Sequence, residues 1–424
     1  MTASDQIADQ IIARYRIETA LPVEQAAEVI AGEQSSGTFL PVPGETEELK
    51  ARSRAKVLSV ELLDAADVPS LPGARVPPGV AQPRWQRAEI TLAFPLANVG
   101  PNLPTLLATV CGNLYELAEH SGCKLLDLEF PPAFAERYPG PQFGIEGTRK
   151  LAAVEQRPII GTIVKPSVGL SPQQTAELVG TLAAAGIDFV KDDELMADPP
   201  HSPLARRVEC VMRALNDAAD RNGRKVMYAF NISDQWEAMK RHHDTVLAHG
   251  GTCVMVSVNS VGLTGVRALR EICDLPIHGH RNGWGMLTRC PALGIAFRAY
   301  QKLWRLAGVD HLHVNGLANK FWEPDDSVVE SIQASLEPLL GGFHIMPVVS
   351  SGQWGGQAPE TYLRCRTVDV IYLAGGGMMA HPGGPAAGCR AIRQAWDAAV
   401  AGIPLQEHAA GHVELRQSLE KFGK

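Results

Sequence analysis

From about residue 157 onward the chain repeats one pattern: a short apolar run, a polar end, then apolar residues at helical spacing. The runs are RPIIGTIVKP (157–166), GIDFVKDDE (186–194), KVMYAFNIS (225–233), CVMVSVNS (253–260), LPIHGHR (275–281), DHLHV (310–314), FHIMPVVS (343–350) and VDVIYLAGGG (368–377). Helices are expected between them. Ser171 supplies an N-cap and Pro172 the first helical residue of one, while DQWEAMKRHHDTVLAHG and GCRAIRQAWDAAVAG end in glycine. Strict strand–helix alternation predicts an α/β fold, a parallel (β/α)8 TIM barrel over residues 146–424. A doubly wound open sheet is the competing arrangement, but no G-x-G-x-x-G follows the first strand. Residues 1–145 read differently, as an α+β domain. IIARYRIE (11–18), AKVLSVELLD (55–64) and RAEITLAFPL (87–96) alternate like half-buried strands, residues 103–120 have helical periodicity, and 130–147 reads as a linker.

Polar groups gather at one end of the barrel runs: Lys165, Lys191 to Glu194, Asn231, Asn259, His278 to Arg281, His311 with His313, Ser350 with Ser351, and Gly375 to Gly377. In a barrel those ends meet at one mouth, where the catalytic groups of this fold sit. By the period of two, Lys191 and Asp193 share one face, Asp192 takes the other and Glu194 begins the loop. An inward lysine with carboxylates is costly without a cation or full pairing, and hard oxygen ligands suit Mg2+. Lys165 could instead only snorkel to water, and Lys191 with Asp193 could be a structural pair. His278 and His311 read as core histidines, whereas His280, Arg281 and His313 lie nearest the mouth and could hold an anion or move protons. Backbone N–H groups at Ser350–Gly352 and Gly375–Gly377 fall where this fold binds phosphate. Lys320, after the sixth strand, could sit on a loop that closes over a substrate, or be an ordinary solvated lysine.

Composition narrows the classes. The 424 residues exceed one ordinary core, and 45% hydrophobic with 20% charged residues is typical of a globular protein. A formal net charge of −7 supplies no basic stripe, so no nucleic-acid partner is expected. The eight cysteines are scattered without a C-x-x-C pair and read as reduced thiols. The first 18 residues carry acids and lack an apolar core, unlike a signal peptide, and no run approaches the ~18 apolar residues that span a bilayer. No membrane association and a cytoplasmic location are expected.

Taken together these motifs resemble the RuBisCO superfamily, form IV (the RuBisCO-like proteins) in particular, along nearly the whole chain. KPSVGLS (165–171) looks like the family's lysine motif, implying Lys165 as proton donor or acceptor. GIDFVKDDE looks like its metal motif, implying Mg2+ bound by Asp193, Glu194 and a CO2 carbamate on Lys191. HGHR implies His280 near the substrate and Arg281 on a phosphate, with His313 and Ser350 at the same phosphate. Lys320 matches the loop lysine, and Gly352, Gly375 and Gly376 the other phosphate subsite. EQSSGTF (33–39) resembles the segment that a neighbouring subunit contributes, with Glu33 and Thr38, and Asn113 matches a substrate asparagine. The resemblance thus implies a ferredoxin-like N-terminal domain and a homodimer with shared sites.

Departures argue against carboxylation of ribulose bisphosphate. Ser167 stands where the carboxylases have a second lysine, Ile163 replaces a threonine, and Trp284 stands where a histidine follows the arginine. Phe39 replaces a tryptophan, and Phe321-Trp322 follow the loop lysine. What persists implies an Mg2+-dependent enzyme forming an enediolate from a phosphorylated ketose-type substrate. Decarboxylation or cleavage of 3-oxo-isoapionate 4-phosphate is favoured, with isomerisation or enolisation of methylthio-sugar phosphates as the alternative. A metal-free Schiff-base aldolase using Lys165 or Lys191, or a non-catalytic interaction protein, are the rival classes.

Overall fold

Strand β1 (Gln10–Thr19) is the middle of the N-terminal sheet because two neighbours pair with it along most of its length. The structure is a computed structural model that describes residues 9–37 and 42–423. β2 (Lys56–Ala66), β3 (Trp85–Pro95) and β4 (Gly122–Glu129) complete the antiparallel part, with β1 flanked by β3 and β4. β2 forms the edge, which leaves Leu58 and Leu62 exposed and breaks the half-buried alternation expected of that strand. The helix expected over 103–120 stops at Val110. Gly112 leaves helical geometry there and lies so near Ala108 O that a Cβ would approach it to 2.2 Å. A 3-10 turn, Asn113–Glu116, follows. The stretch expected to be a linker holds the helices Ala133–Arg137 and Gly144–Ala152.

The eight expected barrel strands all form. They are β5 (Ile159–Ile163), β6 (Phe189–Lys191), β7 (Met227–Asn231), β8 (Cys253–Ser257) and β9 (Ile277–His280), then, after an excursion containing β10 (Leu293–Ile295), β11 (His311–Asn315), β12 (Met346–Ser350) and β13 (Ile371–Leu373). β5 to β9 and β11 to β13 pair in parallel and close a barrel through β9 with β11 and β13 with β5. The helices Pro172–Ala184, Leu204–Asn222, Trp236–Ala248, Val258–Ile272, Asp325–Leu336, Ala358–Cys365 and Gly384–Ala401 lie between or after the strands. The first is closed by a capping box in which Ser171 Oγ accepts from Gln174 N and Gln174 Oε1 accepts from Ser171 N. Gly402, at φ 68°, ends the last as the C-cap glycine expected there.

Two compact units emerge, one holding the chain to Pro139 plus Gly283–Leu306, the other Gly140–Asn282 and Ala307 onward. The division therefore falls before residue 145, and it is not a single cut. Between β9 and β11 the chain contributes β10 to the N-terminal sheet, parallel to β4.

One parity runs through the barrel. Ile159, Phe189, Met227, Met255, Met346 and Ile371 belong to its buried apolar cluster. Stepping by two along the strands from that cluster reaches Lys165, Lys191, Asn231, Ser257, Ser350 and Gly375. The inward face is thus apolar at one end and polar at the other. Gly161 permits this packing, since a Cβ there would lie 2.6 Å from Leu373 Cδ2. All eight cysteines are free thiols. No helix among the described residues is long and apolar enough to cross a membrane.

The N-terminal unit carries a buried carboxylate on its central strand. Glu18, on β1, accepts from Ser121 Oγ at 2.7 Å, Ser70 N at 2.6 Å, Ser70 Oγ at 2.7 Å and Arg87 Nε at 2.7 Å. Burial opposes its charge, but these donors outweigh burial and hold its pKa below the ordinary 4.5. A carboxylate with a lowered folded-state pKa stabilises above its unfolded value and loses that contribution as pH falls through the folded one. Glu18→Gln is therefore expected to cost about 1–3 kcal/mol at pH 7. In urea titrations the gap from the native protein should narrow as the pH drops below 4.5. A gap of constant size would show that the carboxylate charge contributes nothing.

Candidate active site

Lys191 ends β6 fully buried, because the strand parity that puts Phe189 in the apolar cluster carries the next inward side chain to the mouth. Its Nζ donates to Asp192 O at 2.8 Å and lies 3.4 Å from Glu194 Oε2. Burial pushes its pKa down, partly offset by Glu194, Asp193 and Asp192. A lowered pKa raises the fraction of neutral, nucleophilic amine. Lys165, beyond β5, donates to Asp193 Oδ2 at 2.6 Å and to Ser167 Oγ at 2.8 Å, so it does more than reach water. Glu194 Oε2 also lies 3.4 Å from His280 Nε2. Burial disfavours the Glu194 charge, but His280, Lys191 and Lys165 outweigh it and keep that carboxyl below its ordinary range.

The backbone of this lysine–carboxylate turn is held from behind. Asn231 Nδ2 donates to Asp193 O and Glu194 O at 3.2 and 3.1 Å. Asp192 faces away from Lys191, as the strand period requires. It meets Arg207 at 3.1 Å and accepts from Tyr228 Oη at 2.6 Å and Asn231 N at 2.9 Å. Arg207 went unnoticed in the sequence because it is one of several arginines in an amphipathic helix.

The four histidines of β9 and β11 are joined. Thr148 Oγ1 donates to Gly144 O, so it accepts from His311 Nε2 at 2.8 Å. That makes His311 Nδ1 the acceptor for His278 Nδ1 (3.3 Å) and His278 Nε2 the acceptor for His313 Nε2 (2.8 Å). His313 Nδ1 lies 3.2 Å from Ser350 Oγ, which also lies 3.3 Å from Val314 O. The three imidazoles thus form one hydrogen-bonded chain between the Thr148 and Ser350 hydroxyls. Burial keeps all three imidazoles neutral, lowering His311 to about 3 and His278 and His313 well below their ordinary value. His280, whose ring lies 4.3 Å from that of His313, is lowered by burial and the Lys191 charge. His278 and His311 are buried as expected of core residues, and they also orient His313.

The loop after β11 is pinned by Gln353, which is fully buried and donates to Leu317 O at 3.0 Å. A Cβ on Gly316 would lie 2.1 Å from that amide. Lys320 is exposed, its ammonium lies 5.2 Å from the Phe321 ring centre, and its backbone N donates to Ser351 O at 3.3 Å. Gly352 lies beside Lys320 at φ 84°, and Ser351 precedes it at φ 76°, a conformation unusual outside glycine. A Cβ on Gly376 would meet no atom within 4 Å, so its backbone faces open space. Gly375 packs against Lys165 and Ile163. Arg281 Nη2 donates to Glu323 Oε2 at 3.1 Å, a partner that the sequence did not suggest.

Three candidates lie in the N-terminal unit or outside the described residues. Glu33 is the exposed last residue of the helix Val23–Glu33, and Asn113 opens the 3-10 turn. Thr38, like Phe39, lies outside the described residues.

Among the described residues no three His, Cys, Asp or Glu side chains converge as a metal cluster. Asp193 and Glu194 supply hard oxygens beside a buried lysine of lowered pKa. The set fits Mg2+ once CO2 on Lys191 Nζ adds a third oxygen ligand.

Comparison with known proteins agrees with this architecture. Residues 144–422 match the family described as "Ribulose bisphosphate carboxylase large chain, catalytic domain", and 4–134 match its N-terminal domain. A protein of Xanthobacter autotrophicus named "3-oxo-isoapionate-4-phosphate transcarboxylase/hydrolase" is 54% identical over 415 residues, covering 97% of this chain and 99% of its own. A "3-oxo-isoapionate-4-phosphate decarboxylase" of Rhizobium etli is 50% identical, with 96% and 97% covered. The crystal structure of a rubisco-like protein from Burkholderia fungorum superposes with a TM-score of 0.91 at 49% identity, covering 98% of this chain and all of that one. The chain belongs to the RuBisCO large-chain family and is a RuBisCO-like protein.

Proposed function

We propose that this protein is an enzyme that removes the carboxyl group of 3-oxo-isoapionate 4-phosphate as CO2 through an enediolate. The observation that carries the reading is that relatives at 54% and 50% identity, matched along nearly their full length, are named for reactions of this one compound. In a 3-oxo acid the ketone is β to the carboxylate, so as CO2 leaves, the electron pair of the breaking C1–C2 bond is left on C2 and conjugates with the C3 carbonyl. The pair then takes up one proton at carbon.

Asp193, Glu194 and carbamylated Lys191 are the proposed Mg2+ ligands. When bound, Mg2+ supplies a Lewis acid for the carbonyl and enediolate oxygens. Lys165, tethered to Asp193, gives the proton and regains one from solvent. Gly352, Gly375 and Gly376 offer backbone N–H groups to the phosphate, with the Lys320 loop closing over it. His280, Arg281, His313 and Ser350 bind oxygens at the other end. The active unit is proposed to be a cytoplasmic homodimer in which Glu33, Thr38 and Asn113 of a second copy complete the site.

The test is to supply substrate labelled with 13C at the carboxyl, with Mg2+ and bicarbonate in D2O, and to follow the label by NMR. Label in CO2 and bicarbonate, with one deuterium on the new C–H, is expected. Label retained in an organic product would replace decarboxylation by transfer or hydrolysis. No consumption, with turnover of 5-methylthioribulose 1-phosphate instead, would sink the reading.

A further inference from the structure

Glu323 forms an ion pair with Arg281 at one end of the barrel mouth, and both groups are only 5% exposed. It follows the loop that leaves β11. Oε2 accepts from Arg281 Nη2 at 3.1 Å and from Asn315 Nδ2 at 2.5 Å, and Oε1 accepts from Ser327 Oγ at 2.9 Å. Asn319 Nδ2 holds the Glu323 carbonyl at 3.0 Å, and Asn315 Oδ1 in turn accepts from Ser351 Oγ at 2.7 Å. Donors on β11, on the following helix and within the loop therefore fix the carboxylate; it is not a charge free to swing aside.

A buried guanidinium is a receptor for phosphate or carboxylate. Here a carboxylate of the same chain already takes up part of its fork. We propose that Glu323 closes the Arg281 end of the site to a second phosphate, so that the pocket selects substrates with a single phosphate. That phosphate lies at the Gly352, Gly375 and Gly376 end, and an oxygen such as a hydroxyl lies at the Arg281 end. A hydroxyl accepts from Arg281 while donating to Glu323. A phosphate dianion has no proton to donate and meets the carboxylate as a like charge. The inference rests on reading this mouth as a sugar-phosphate site, not on which sugar phosphate is turned over.

Ribulose 5-phosphate and ribulose 1,5-bisphosphate, which differ by one phosphate, are the probes, titrated calorimetrically into the full-length protein with Mg2+ and bicarbonate. The native protein should bind the bisphosphate no tighter than the monophosphate. Glu323→Gln, which keeps the shape and removes the charge, should tighten bisphosphate binding about tenfold or more and leave the monophosphate within about threefold. Glu323→Asp keeps the charge and should keep the native preference even where the loop loosens. A purely structural strut would weaken both probes together in both variants. Equal shifts in Glu323→Gln, no gain for the bisphosphate, the same ratio change in Glu323→Asp, or a native preference for the bisphosphate would each overturn the proposal. Failure to decarboxylate 3-oxo-isoapionate 4-phosphate would remove the proposed function and leave this ratio to decide the role of Glu323.

Discussion

Replacing Arg207 by alanine is expected to cost about 3–5 kcal/mol of folding stability, because it leaves the buried charge of Asp192 without its ion-pair partner. The side chains of Arg207 and Asp192 are 1% and 2% exposed. Arg207 also donates to Ser202 O at 2.6 Å, Ala197 O at 2.5 Å and Met196 O at 3.0 Å, so the loop leaving the Lys191–Glu194 turn loses three carbonyl partners at once. Lysine is a poor substitute, since its ammonium cannot reproduce the planar fork. The urea midpoint should fall with an unchanged m-value, and kcat should fall as well because Asp192 lies between Lys191 and Asp193 in the chain. Pairing Arg207→Met with Asp192→Asn should recover part of the loss, since no unpaired charge then remains buried. Strictly additive losses in that double-mutant cycle would show that the ion pair contributes nothing.

Arg207 also marks the boundary of what the sequence made legible. The eight barrel strands were readable because each is an apolar run stopped by polar residues, and the same period placed Lys191 and Asp193 inward and Asp192 outward. What answers Asp192 was not readable, because helix Leu204–Asn222 carries its arginines in a pattern that serves an exposed face equally well. Gln353 and Glu323 were hidden for a related reason: their roles come from loops folding back onto β11, not from any local period. β10 has three residues and pairs with β4 across a wide gap in sequence, so neither its pattern nor its neighbours announced it, and the excursion of Gly283–Leu306 into the N-terminal unit went with it. The histidines were correctly read as buried at 278 and 311. Their coupling runs to Thr148, which lies just past the stretch 130–147 expected to be a linker and carries no motif.

Lys191→Met is expected to lower kcat/KM by at least about a thousandfold, corresponding to roughly 4 kcal/mol of lost transition-state stabilisation. The methionine is close in length and apolar, so it can occupy the buried channel at the end of β6 without the cavity an alanine would leave. It also removes the amine that the proposed carbamate needs. With only Asp193 and Glu194 remaining, the site falls short of three charged oxygen ligands. Two readouts separate this from simple damage to the fold. The native protein incubated with 13C-bicarbonate and Mg2+ should show a carbamate carbon signal that is absent from Lys191→Met, and only the native protein should gain activity on preincubation with bicarbonate. Burial favours this chemistry, since lowering the Lys191 pKa keeps more of the amine neutral for attack on CO2. Protonation opposes it, so activation should weaken as the pH falls, while the Asp193 and Glu194 charges that raise the Lys191 pKa limit how far the amine can be neutralised. A variant that keeps native activity, or a native protein with no carbamate signal, would remove Lys191 from the proposed metal site and return the pair of carboxylates to a structural role beside Lys165.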